Sequence, residues 1–257
     1  MINIAIIGIF GRMGQEISKE IAKSDNFNLI SGLCKKTQLT NNTFSKELLL
    51  SSDINEVISG VDVVIDFSNP ELSLEVANAA NKKHINYICG TTGFTDEQFT
   101  KLKILAENSV FIWGSNMSIG INLLLALIKK SSSILGDEFN AEIIEMHHKY
   151  KKDSPSGTAI SLGKAIADSR NHDFNKVAKL SREGILAERS NDEIGFATLR
   201  GGSVIGDHQV IFAEDSEIIT LGHKACDRAI FAKGALKAAL AAQNKANGFY
   251  NIQDIFI

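Results

Sequence analysis

Short, almost continuously apolar runs recur through the first half of the chain, each followed by a segment with helical spacing. Residues 2–7 (INIAII) end at Gly8, 61–67 (VDVVIDF) at a polar turn, 86–89 (NYIC) at Gly90, and 110–112 just before Gly114. A strand with one solvated face alternates apolar and polar residues. A strand without that alternation must be covered on both faces, as in a parallel sheet between two layers of helices. Residues 27–33 read as a further strand. Between the strands, Met13, Ile17 and Ile21 fall on one face of a helix over 12–23, Pro70 suits the first turn of a helix over 70–82, and a third helix covers 96–108. This alternation predicts an α/β fold, a Rossmann-type doubly wound parallel sheet. Right-handed crossovers then bring the loops after the strands to one edge, where ligands bind.

The second half changes character. Residues 118–134 read as an apolar helix, and 139–147 (FNAEIIEMH) alternate like a strand. A polar loop containing Pro155 leads to a helix over 157–170, and strand-like runs follow at 194–200, 208–214 and 216–221. These elements predict a second, α+β domain over 118–228 with an antiparallel or mixed sheet. An Ala-rich helix over 225–243 brings the chain back, so the first domain comprises 1–117 plus 229–257.

Composition narrows the function. Lys and Arg total 27 against 30 Asp and Glu, a formal net charge of -3, which lacks the basic excess of a nucleic-acid binder. The longest apolar run, Ile119 to Ile128, is interrupted by Gly120 and Asn122 and is far shorter than the ~20 residues of a membrane span. The N-terminus lacks the basic segment of a signal peptide. Cys34, Cys89 and Cys226 are widely spaced, suggesting neither a zinc site nor a disulfide framework and predicting a reduced, cytoplasmic setting. No nucleic acid, membrane or metal is expected as a partner.

The chemistry lies at the strand ends. Gly8-Ile9-Phe10-Gly11-Arg12-Met13-Gly14 joins the first strand to the first helix. Glycines there allow a tight turn and a close approach to a pyrophosphate, which the helix N-terminus favours through its N–H groups and dipole. The spacing is one residue longer than the usual dinucleotide fingerprint, and a plain strand–helix turn is the alternative. After the second strand, where a carboxylate would read the ribose of NAD, stand Cys34, Lys35 and Lys36. The lysines suit the 2′-phosphate of NADPH, or are simply solvated. Gly90-Thr91-Thr92-Gly93 offers two hydroxyls to a cofactor or an anionic substrate, or is a capped turn. The densest stretch is Glu145 to Thr158. His147, His148 and Lys151 are credible proton donors, and Ser156-Gly157-Thr158 at a helix start suits a carboxylate.

Taken in order, Gly8-x-x-Gly11-Arg12-Met13-Gly14, Asp66-Phe67-Ser68-x-Pro70, Gly90-Thr91-Thr92-Gly93-Phe94, Ser115-Asn116-Met117-Ser118-x-Gly120 and Glu145-x-His147-His148-x-x-Lys151-x-Asp153-x-Pro155-Ser156-Gly157-Thr158 resemble the 4-hydroxy-tetrahydrodipicolinate (dihydrodipicolinate) reductase family over nearly the whole chain. Ser181-Arg182-Glu183-Gly184 and Gly206-Asp207-His208 extend the match. The resemblance implies an oxidoreductase of diaminopimelate and lysine biosynthesis. It implies a Rossmann cofactor domain for NADPH or NADH and an α+β domain that binds a small dicarboxylate and assembles a homotetramer. It makes His147 a proton donor or acceptor and Lys151 a proton donor. It places His148, Gly157 and Thr158 at the substrate, with Ser156 and Thr92 beside them. It places Gly8, Ile9, Phe10, Gly11, Arg12, Met13, Lys35, Gly90, Thr91, Thr92, Gly114, Ser115, Asn116 and Met117 at the cofactor. The chain departs from the family at Phe10, where many members have glycine, and at Cys34-Lys35, where many have an acid and Arg. Both departures bear on the cofactor. The competing readings are another two-domain imine or amino-acid dehydrogenase and a non-catalytic NAD(P)H-binding redox sensor.

Overall fold

A computed structural model describes residues 1–41, 44 and 47–257. The elements run β1 (Ile2–Ile7), α1 (Arg12–Ile21), β2 (Phe27–Leu33), β3 (Leu49–Ser51), α2 (Ile54–Val57), β4 (Val63–Asp66), α3 (Pro70–Lys82), β5 (Asn86–Cys89), α4 (Asp96–Ile104), β6 (Val110–Trp113), α5 (Ile119–Leu135) and β7 (Asn140–His147). They continue with α6 (Gly157–Ser169), α7 (Phe174–Val177), β8 (Ala178–Lys179), β9 (Ile194–Arg200), β10 (Gly206–Ala213), β11 (Ile218–Ala225), α8 (Ala229–Ala242), β12 (Gly248–Asn251) and α9 (Gln253–Phe256). Two compact units result. One comprises Met1–Ile119 with Arg228–Ile257, the other Gly120–Asp227.

The first unit is built on a sheet of order β12-β6-β5-β4-β1-β2-β3. Every pairing in it is parallel. This is the doubly wound arrangement, with the order reversing beside β1. The apolar strands are buried on both faces, as their lack of alternation requires. Ile4, Ile6, Val63 and Ile65 pack with Ile17 and Ile21 of α1 and with Ala232, Ala235 and Ala239 of α8. Ala5, Ile7, Val64 and Tyr87 pack on the other side with Val76, Ala77 and Ala80 of α3. α3 starts where expected because Asn69 accepts the Leu72 N–H at 3.1 Å and Pro70 follows it.

The second unit carries a mixed sheet of order β11-β10-β7-β9-β8. β10 is antiparallel to both β11 and β7, whereas β7 and β9 run parallel. One face packs Ala141, Ile143, Phe196, Val210 and Phe212 against Ile121, Leu124 and Ile128 of α5 and Leu162 and Ile166 of α6. The opposite face presents half-buried Ile144, Met146 and Ile211 with exposed Leu199 and Ile218. α5 is apolar and, counting the turn that extends it to Glu138, long enough by composition to cross a bilayer. Here its apolar face lines the core of this unit.

Several boundaries differ from the sequence reading. β4 is shorter than 61–67, because the Asp62 carboxylate turns back to accept the Asn3 N–H at 2.8 Å and Asp66 gathers donors from the loop that follows. β11 begins at Ile218 rather than 216, since Glu214 and Glu217 close a turn (Glu214 N–H to Glu217 O, 3.0 Å). It continues to Ala225, paired with Gly206, so α8 starts only at Ala229. The short strands β3 and β12, which extend the first sheet at its two edges, were not read from the sequence.

Candidate active site

In the first unit, the candidate cofactor residues collect at the C-terminal edge of the parallel sheet. The turn after β1 forms because Gly8 adopts φ +73°, a conformation costly for a residue with a Cβ, and the Gly11 N–H returns to Gly8 O at 2.8 Å. Gly14 lets α1 sit against that turn. A Cβ there would lie 2.6 Å from the carbonyl oxygens of both Gly8 and Ile9. Gly11 supplies no side-chain cap to α1, and no acid occupies its first turn, so the helix start suits an anion. These features fit a dinucleotide pyrophosphate. Ile9 and Met117 are buried in the core, which limits their contribution to backbone groups. Phe10 is turned aside, its ring edge-on to Phe44 with centroids 5.4 Å apart, so the residue that replaces a family glycine packs laterally. Arg12, Lys35 and Lys36 are exposed and Met13 is half-buried.

The loops after β5 and β6 flank this turn along the edge. Thr91 is buried, whereas Thr92 is exposed. Gly90 is required by packing, because a side chain there would run into the Phe67 ring. Gly114 donates its N–H to Cys89 O at 3.1 Å, Ser115 is exposed, and Asn116 accepts the Ser118 N–H at 2.9 Å.

In the second unit, β7 lies between β9 and β10, and that order assembles a polar cluster at one end of the sheet. Register sets His147 opposite Arg200 and Glu145 opposite His208. Glu145 is 1% exposed and fully engaged. Arg200 donates to both its oxygens at 2.9 Å, the Ser156 N–H donates at 3.0 Å, and His147 Nδ1 lies 2.5 Å away. Burial pushes the Glu145 carboxyl up, but the hydrogen bonds from Arg200 and His147 outweigh it and hold it below the ordinary carboxylate range. An ionised carboxylate only accepts, so Nδ1 of His147 carries a proton and Nε2 is the nitrogen left to exchange one. Burial also lowers the His147 pKa, and the charges of Lys151 and Arg200 add to that effect against the pull of Glu145.

Arg200 ties this cluster to the loop before α6 by donating to the Asp153 carbonyl at 2.6 Å. Lys151 pairs with the Asp153 carboxylate at 2.9 Å. His148 has a buried Nδ1 without a hydrogen-bond partner among the described residues. Ser156 caps α6 by accepting the Ala159 N–H at 3.2 Å, and its hydroxyl faces inward, 3.1 Å from His208 Nε2. Gly157 is exposed, with open space where a side chain would stand. His208 meets His147 edge-on at 5.0 Å. Burial, followed by the neighbouring His147, pushes its pKa down to about 4.

The structure thus brings His147, Lys151, Ser156, Gly157 and Thr158 to one loop and helix start, and turns Ser156 inward as support. Glu145, Arg200 and His208 were given no role from the sequence, although Glu145 and His208 stand in the motifs that carry the resemblance. The signal for Glu145 was parity, since Ala141 and Ile143 face the core and Glu145 and His147 share their face. A core-facing acid needs partners, and Arg200, His147 and the Ser156 N–H supply them, while His208 supports the Ser156 hydroxyl.

The N-terminal model of the family described as "Dihydrodipicolinate reductase" matches residues 2–117, and its C-terminal model matches 120–256. The chain is 40% identical to a 4-hydroxy-tetrahydrodipicolinate reductase of Syntrophotalea carbinolica, over 99% of this chain and 98% of that one. It is 38% identical to the enzyme of the same description from Hahella chejuensis, at the same coverage. A dipicolinate-bound dihydrodipicolinate reductase from Paenisporosarcina sp. TG-14 superposes with a TM-score of 0.80 at 28% identity, covering 99% of both chains.

Proposed function

The chain belongs to the dihydrodipicolinate reductase family, and from that premise we infer its chemistry. It is an NAD(P)H-dependent oxidoreductase that reduces 4-hydroxy-tetrahydrodipicolinate to tetrahydrodipicolinate in diaminopimelate and lysine biosynthesis. The change takes up one hydride and one proton and releases the 4-hydroxyl as water. When bound, the nicotinamide supplies the hydride.

The chain's own residues supply binding and the proton. The observation that carries this reading is the buried Glu145, which holds both His147 Nδ1 and the Ser156 N–H and so fixes the imidazole to the start of α6. His147 takes or gives a proton at Nε2. Lys151 donates a proton as negative charge develops on the ring. His148, Gly157 and Thr158 hold the carboxylates of the substrate, with Ser156 ordering the helix start. In the first unit, Gly8, Gly11, Arg12 and Met13, with the backbone of Ile9 and Phe10, cradle the pyrophosphate. Gly90, Thr91, Gly114, Ser115, Asn116 and the backbone of Met117 line the nicotinamide side, and Thr92 offers its hydroxyl to cofactor or substrate. Exposed Lys35, with Lys36, favours the 2′-phosphate of NADPH. The apolar outer face of the second sheet, with Ile144, Met146, Leu199, Ile211 and Ile218, supports assembly of a homotetramer. The compartment proposed is the cytoplasm.

The test is coupled turnover. Substrate is made in place from pyruvate and aspartate semialdehyde by the preceding synthase, and NADPH and NADH oxidation are followed separately. Oxidation that depends on the synthase is expected, faster with NADPH, with Lys35→Ala narrowing the difference. Cofactor binding without turnover would favour the sensor reading, and light scattering reads the assembly state.

A further inference from the structure

A second buried polar cluster lies in the first unit. Asp66 ends β4 and is 0% exposed. The Ser68 N–H donates to its Oδ1 at 2.8 Å, the Ser73 hydroxyl to its Oδ2 at 2.6 Å, and the Tyr87 hydroxyl to the same Oδ2. Thr91 Oγ1 lies 3.0 Å from both the Ser68 nitrogen and the Ser73 hydroxyl. One carboxyl therefore joins the loop after β4, helix α3, strand β5 and the loop after β5. An apolar residue would fill this site at lower desolvation cost, so stability alone does not account for an acid there. What the acid adds is a fixed relation between two neighbouring loops of the sheet edge.

We propose that Asp66 is a positioning residue for the nicotinamide cofactor: it acts through Thr91 and Ser68 to hold the loops after β4 and β5 in the shape that receives the cofactor. This rests on the reading of that edge as the cofactor site. The chain carries its own probe. Its single tryptophan, Trp113, donates its indole N–H to Thr91 O at 2.9 Å.

The test uses the full chain with Asp66→Asn, Ser73→Ala and Tyr87→Phe. An asparagine has one acceptor oxygen where three donors converge on two, so the Ser68 N–H loses its acceptor or the Ser73 and Tyr87 hydroxyls must turn to accept from the amide. Cofactor affinity is read by quenching of Trp113 on titration with NADPH and NADH. Asp66→Asn is expected to weaken it about tenfold, equivalent to about 1.4 kcal/mol, and the other two by less. The Trp113 emission of the free protein should shift as its bond to Thr91 loosens, and the KM for the dicarboxylate should stay within about twofold. If Asp66→Asn does not fold, Ser73→Ala and Tyr87→Phe decide. Folded variants with wild-type cofactor affinity and unchanged Trp113 emission overturn the proposal. A wild-type protein that binds neither cofactor overturns the underlying site reading, and the proposal with it.

Discussion

Replacing Arg200 with methionine keeps an unbranched, uncharged stem and removes both bonds to Glu145. That carboxylate is 1% exposed and receives two contacts of 2.9 Å from the guanidinium. Breaking a buried pair by deleting one partner costs about 3–5 kcal/mol, and the lower end, about 3, applies because the Arg200 side chain is 20% exposed. The sign of the pH dependence follows. In the wild type Glu145 lies below the ordinary carboxylate range, so its stabilisation is present above the unfolded pKa and is lost as pH falls through the folded one. Without Arg200, burial raises Glu145, and His147 loses a neighbouring charge that had lowered it. The Glu145–His147 pair then takes up a proton at a higher pH than in the wild type. Over this range the native variant binds more protons than the native wild type, so its deficit is largest at neutral pH and shrinks on acidification. Urea unfolding followed by far-UV circular dichroism at pH 7.5 and pH 5 measures it. Arg200→Met/Glu145→Gln should recover more than half of the loss at pH 7.5, because no unpaired charge remains. A deficit below ~1 kcal/mol, or one that is constant with pH and not recovered in the double variant, refutes the reasoning.

His208, whose pKa falls from about 6.5 unfolded to about 4 folded, binds fewer protons in the native state, so stability should drop by about 3 kcal/mol as pH is lowered from 6.5 to 4. His208→Gln should flatten that slope in pH-dependent urea melts. Lys151→Ala should lower kcat at least ~10²-fold in the coupled assay, and near wild-type kcat would remove its role as proton donor. His147→Gln should also lower kcat, whereas an effect confined to KM would reassign it to binding. Gly14→Ala places a methyl 2.6 Å from two carbonyl oxygens, and overpacking of that kind costs about 1–3 kcal/mol, read as a lower Tm together with weaker NADPH binding.

The core strands of the first sheet were legible because burial on both faces leaves an unmistakable composition in 2–7 and 86–89. The glycine turn was legible because φ > 0 and close packing leave few alternatives to glycine. β3 and β12 were not legible: strands of three and four residues at a sheet edge exist only through their neighbours. The same reason hid half of the site. His147, Lys151 and Ser156 to Thr158 sit within twelve residues and read as a unit. Arg200 and His208 are 55 and 52 residues from the groups they bond. They meet those groups only because β7 pairs with both β9 and β10. No local pattern encodes that order.

The split make-up of the first unit sets a timetable for its synthesis. The second unit, Gly120–Asp227, is contiguous and is synthesised before residues 228–257, which complete the first. Until then β6 has no partner on the side that β12 later takes, and Ile6, Val63 and Ile65 lack the alanine face of α8. At ~5–20 residues per second, translating residues 120–257 takes on the order of ten seconds, during which an open strand edge and an apolar sheet face stay exposed. A nascent chain in that state is a natural client for chaperones, and folding of the nucleotide-binding half is gated by translation of its last residues.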